Sequence, residues 1–104
     1  MISYHIFFTP KPGVADAQVV SLAREFLETL KSEKKIYGYR ILHVTNPASF
    51  RELPRFQAIV DYEFQQDLDD SFTFMRPPQK LKEGAHGKLL EQVAEFKVSF
   101  TTDV

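Results

Sequence analysis

The sequence predicts an α+β domain in which helical segments cover one face of a four-stranded antiparallel sheet, and three observations lead there. Four segments, near residues 2–9, 36–45, 55–64 and 96–101, carry the two-residue alternation of strands. A long segment of helical period separates the first two, and shorter helical segments separate the last two. The resulting order, β-α-β-β-α-β, is the split βαβ arrangement, whose right-handed crossovers place both helical segments on the same side of the sheet.

The first strand is rich in β-branched and aromatic residues, with Ile2, Tyr4, Ile6 and Phe8 on one face and Ser3, His5, Phe7 and Thr9 on the other. Pro10-Lys11-Pro12-Gly13 ends it, since proline removes ladder donors and glycine permits a turn. Asp16 is the expected cap of a helix reaching about Lys34. Val19, Leu22, Ala23, Phe26, Leu27 and Leu30 form its apolar face, and Phe26 is expected in the core.

The second strand is expected over Ile36 to Thr45 and the third over Arg55 to Phe64, where Phe56, Ala58, Val60, Tyr62 and Phe64 alternate with Gln57, Ile59, Asp61 and Glu63. The Asn46 to Pro54 link is too long for a tight hairpin. Asp67, Asp69 and Asp70 mark the first turns of a short helix, where negative charge suits the dipole, and Leu68, Phe72 and Met75 give it an apolar edge. Pro77-Pro78 stops it, a last helix runs from about Gly84 to Ala94, and Phe96, Val98 and Phe100 then alternate with polar residues in the fourth strand.

Composition narrows the function classes. The 104 residues suit a single domain with one core. A net charge of −1 with mixed signs provides neither a basic stripe for nucleic acid nor a polybasic segment for anionic lipid. No cysteine is present, so disulfides, Cys-based metal sites and thiol nucleophiles are excluded. The N-terminus lacks the pattern of a signal peptide and no apolar run is long enough to span a bilayer, which makes the cytoplasm the expected compartment. Ten Phe and four Tyr put much apolar area in flat side chains suited to cores and interfaces. Strand one is apolar on both faces, and strand two also carries large side chains on both. A sheet with helices on one side would therefore leave apolar area in water, and a homodimer joined through the sheet faces is expected to cover it.

The run Tyr4-His5-Ile6-Phe7-Phe8, followed by Lys11-Pro12-Gly13-Val14, a helix, and His86 before a Leu-rich helix, resembles the dimeric α/β-barrel superfamily of ferredoxin-like fold, its stress-responsive A/B-barrel domains in particular. The resemblance implies a four-stranded antiparallel sheet that pairs into a dimeric barrel. It leaves function open among cofactor-free oxygenases, polyketide cyclases, haem-degrading enzymes and proteins of unknown role. In the cyclases a first-strand His and a His before the last helix line a pocket between sheet and helices, and those positions match His5 and His86. Glu83-Gly84-Ala85-His86 stands where the cyclases have His-Pro-x-His, and Lys80 stands where they have a tyrosine. The absence of Trp speaks against the haem-degrading branch.

The candidate chemistry is acid–base. His5 is the candidate base and His86 the second proton-handling group, because imidazole titrates near neutral pH. Asp61, with Glu63 on the same face, is placed to orient the His5 ring, and Phe7, Phe26, Tyr39 and His43 are candidate pocket walls. Polarity alone would set Ser3, His5 and Phe7 inside the barrel, whereas the family likeness turns His5 toward the helices; the likeness is followed here. Scattered histidines offer no metal-ligand spacing, and no phosphate loop or nucleophile elbow is present. No cofactor is expected. Two functions follow. One is a small-molecule protein acting on a hydrophobic, aromatic or polyketide-like compound by cofactor-free cyclase- or oxygenase-like chemistry; the other is a non-catalytic dimeric binding or stress-related module with structural histidines.

Overall fold

The computed structural model describes residues 1–75 and 84–104, apart from the side chains of residues 74, 75 and 84–86. Its elements are β1 (Ile2–Pro10), α1 (Asp16–Ser32), β2 (Gly38–His43), β3 (Phe56–Tyr62), α2 (Gln65–Met75), α3 (Gly84–Gln92) and β4 (Val93–Thr102). The strands form one antiparallel sheet in the order β2-β3-β1-β4. This is the ferredoxin-like α+β architecture that the sequence predicts.

Local chemistry sets the element ends. Gly13, at φ 84°, takes the left-handed conformation that the turn after β1 requires, and the Val14 amide closes that turn on the Lys11 carbonyl at 3.0 Å. Asp16 is not the cap of α1. Ala15 occupies that position without a side-chain hydrogen bond, while the Asp16 carboxylate accepts from Arg55 Nη2 at 2.7 Å and ties α1 to the start of β3.

At its other end α1 stops at Ser32, two residues short of expectation, in a Schellman motif. The Lys34 amide bonds the Lys31 carbonyl and the Lys35 amide bonds that of Leu30, with Lys34 left-handed at φ 60°. The strands β2 and β3 are likewise shorter than predicted, because the residues beyond them leave the ladder.

The register sorts the sheet into two faces. Tyr4, Ile6 and Phe8 share a face with Ala58, Val60 and Tyr62, and α1 packs Val19, Ala23, Leu27 and Leu30 against it. Along β3 burial alternates strictly from Phe56 to Tyr62, as a half-covered strand requires. The opposite, open face carries Ser3, His5 and Phe7 of β1, Arg40 and Leu42 of β2, Gln57, Ile59 and Asp61 of β3, and Lys97, Ser99 and Thr101 of β4. It is therefore not the broadly apolar surface expected, but an apolar strip of Leu42, Phe7 and Ile59 interrupted by Gln57 and framed by charged and hydroxyl groups.

The edge strand β4 is exposed along nearly its whole length. Phe96, Val98 and Phe100, on the helix side, are 52%, 44% and 53% exposed. No helix among the described residues is long and apolar enough to cross a membrane.

Candidate functional site

A cavity of about 540 Å³ lies between the sheet and the helices. Tyr4, Ile6 and Phe8 of β1 with Ala58, Val60 and Tyr62 of β3 make its floor, and Ala23, Phe26, Leu27 and Leu30 of α1 its roof. Lys35, together with Ser71 and Phe72 of α2, Leu89 and Leu90 of α3, and Val93 and Phe96 of β4, makes up the rest of the described wall. The space is open partly because small side chains line both layers: Ala23 and Ala58, each 2% exposed, occupy positions where larger residues would fill it. A volume of this size with an apolar lining and few polar groups is the usual form of a small-molecule site.

At one end, Tyr4 and Tyr62 lie diagonally across the β1–β3 pair on the pocket face. Burial pushes the Tyr4 phenol above its usual 10.0, and the neighbouring Tyr62 adds to the rise. Burial also raises Tyr62, with the Ser71 hydroxyl beside it opposing part of the rise. Both therefore stay protonated donors at neutral pH. The Tyr4 ring is fixed by stacking on Phe100, centroids 5.0 Å apart, and by an edge contact with Phe72 at 5.1 Å. Phe72 also borders a shallower groove between α2 and the end of β4, so its ring is the partition between groove and cavity.

The residues proposed from sequence fall in different places. Phe26 lines the cavity. His5 and Phe7 do not: the register puts them on the open face, so the family likeness misplaced His5 and the polarity of the strand gave the correct side. The His5 ring is held between two side chains, with Gln57 Nε2 3.1 Å from Nδ1 and Thr101 Oγ1 2.8 Å from Nε2. An amide NH₂ only donates, so Nδ1 accepts and Nε2 carries the proton that Thr101 receives. Both nitrogens are engaged.

The expected pairing of His5 with Asp61 or Glu63 does not form. Asp61 accepts from Ser3 Oγ at 2.7 Å, and Glu63 lies beyond β3 and is exposed. Tyr39 is on the helix face but outside the cavity lining. Its phenol donates to Glu28 Oε2 at 2.6 Å, and that bond to a carboxylate, then burial and the Glu28 charge, raise its pKa against the opposing influence of Arg24. His43 stacks on Phe56 with centroids 5.0 Å apart, also outside the cavity lining. The His86 side chain, like Met75, lies outside the described residues. Among the described residues no group of three or more His, Cys, Asp or Glu side chains is arranged to hold a metal.

Sequence reasoning missed Tyr4, Tyr62 and Ser71. A tyrosine within an apolar stripe was the available signal, since a buried phenol carries a polar group that needs a partner.

Residues 1–103 match the model of a family of unknown function, DUF6614. The chain belongs to that family. No curated protein matches its sequence. Among solved structures the DUF6614 chain is similar to At3g17210 of Arabidopsis thaliana, at TM-score 0.70 and 9% identity over 100% of this chain and 96% of the other. It is also similar to a putative antibiotic biosynthesis monooxygenase of Deinococcus radiodurans, at TM-score 0.67 and 13% identity over 100% and 93% of the two chains. A third likeness is to a dimeric ferredoxin-like protein of unknown function from Bacteroides fragilis, at TM-score 0.60 and 15% identity over 96% and 93%. These likenesses establish the shared fold, which is compatible with small-molecule binding.

Proposed function

We propose that this DUF6614 chain is a single-domain, homodimeric binding protein for a mainly apolar small molecule. The observation that carries the reading is the cavity of about 540 Å³ between sheet and helices, walled by aromatic and aliphatic side chains. Dimerisation is supported by the exposed apolar side chains of β4 and by the Phe7, Leu42 and Ile59 strip of the open face, both of which a second copy would cover. The Bacteroides fragilis neighbour is described as dimeric.

A catalytic reading, cofactor-free acid–base chemistry of cyclase or oxygenase type, is favoured by the Deinococcus radiodurans neighbour's description as a putative monooxygenase. In it His5 and His86 would handle protons. The bonding of His5 speaks against that role, since a general base needs a lone pair facing its substrate and that of His5 meets Gln57.

The test is binding of apolar aromatic probes followed by tyrosine fluorescence, in the native chain and in Ala58→Leu, whose larger side chain would occupy the cavity. Saturable binding lost in Ala58→Leu supports the pocket. Binding unchanged in a folded Ala58→Leu chain would place the ligand elsewhere.

A further inference from the structure

On the binding-protein reading above, the polar groups of the cavity wall set what the ligand must carry. Among the described lining residues, those that carry polar side-chain groups are Lys35, Ser71, Tyr4 and Tyr62; the two tyrosines lie diagonally on neighbouring strands, with Ser71 of α2 beside Tyr62. The Tyr4 hydroxyl makes no hydrogen bond to another described residue, although its ring is held on two sides by Phe72 and Phe100. A half-buried phenol with no acceptor among the described residues is a donor prepared for something that enters the space beside it.

We propose that Tyr4, assisted by Tyr62, is the polar recognition element of the cavity, and that the ligand is an uncharged, mainly aromatic or aliphatic molecule carrying a carbonyl oxygen that accepts from the Tyr4 hydroxyl. Burial raises both phenols above their usual range, so both remain donors at neutral pH. An anionic ligand suits this end poorly. The cationic side chain among the described lining residues, Lys35, has its ammonium 3.0 Å from Glu33, so a carboxylate would enter desolvating surroundings beside a charge already paired.

The experiment compares three probes of one shape, 2-acetylnaphthalene, 2-ethylnaphthalene and 2-naphthoate, by calorimetry with the native chain, Tyr4→Phe and Tyr62→Phe. Phenylalanine keeps the ring packing and removes only the hydroxyl. The ketone is expected to bind the native chain about fivefold to tenfold more tightly than the ethyl compound. That preference should vanish in Tyr4→Phe, with ethyl-compound affinity unchanged. If both neutral probes bind the native chain and Tyr4→Phe leaves their ratio within about twofold, the recognition role is wrong while the pocket stands. Tighter binding of 2-naphthoate than of the ketone overturns the uncharged class. If neither neutral probe binds, the pocket reading fails and this inference with it.

Discussion

Tyr4 on β1 stacks on Phe100 of β4 with ring centroids 5.0 Å apart and planes 16° from parallel, and the two are register partners across the β1–β4 pair. Because Phe72 closes on Tyr4 from α2, this contact joins the edge strand, the central strand and the second helix at the cavity wall.

Phe72→Ala is expected to cost about 1–3 kcal/mol, less than the roughly 3–5 kcal/mol of a fully buried phenylalanine, since Phe72 is 42% exposed. Urea denaturation measures it. Removing the partition between groove and cavity should also speed probe association in stopped-flow fluorescence.

Lys34→Gly should stabilise the chain by about 0.5–1 kcal/mol. Lys34 is left-handed at φ 60°, where a side chain costs about 1–2 kcal/mol, and the added chain entropy of glycine returns part of the gain. A fall in the urea midpoint would show that the Lys34 side chain makes a compensating contact.

The phenols of half-buried Tyr4 and buried Tyr62 give stability a sign at alkaline pH. Their folded pKa values lie above the usual 10.0, so as pH rises the unfolded chain releases these protons first. Their contribution is fully present below about pH 10 and is lost as pH rises through the folded values. Melting temperature should therefore fall above pH 10 in the native chain, and fall less steeply in the Tyr4→Phe, Tyr62→Phe double variant.

His5→Ala should cost about 1–2 kcal/mol through loss of the Gln57 and Thr101 hydrogen bonds. Affinity for cavity probes should stay within about twofold, because His5 is on the other face of the sheet. A large loss of probe binding would restore a functional role for His5.

Light scattering at micromolar concentration is expected to give twice the 12.0 kDa of one chain. Phe7→Asp, which sets a charge in the apolar strip of the open face, should shift the mass toward that of one chain.

The element order and the membership of each face were legible in the sequence. The two-residue alternation of Phe56, Ala58, Val60 and Tyr62 and the helical spacing of Val19, Ala23, Leu27 and Leu30 are local consequences of backbone geometry, and both recur as buried stripes. Periodicity also set His5 with Ser3 and Phe7, but it does not say which face the helices cover. The helices settle on the face richer in apolar side chains, which turned His5 away from the cavity that the family likeness had assigned to it.

The cavity and its phenol pair were decided by tertiary structure alone. Ala23 and Ala58 are 35 positions apart in sequence, and Tyr4 and Tyr62 are 58 apart, so no local pattern relates them. Only the antiparallel pairing of β1 with β3 and the packing of α1 over both bring two small residues to opposite walls and two hydroxyls to one end. A sequence period records which way a side chain points along its own element, whereas a site is a coincidence of positions between elements, and packing creates that coincidence.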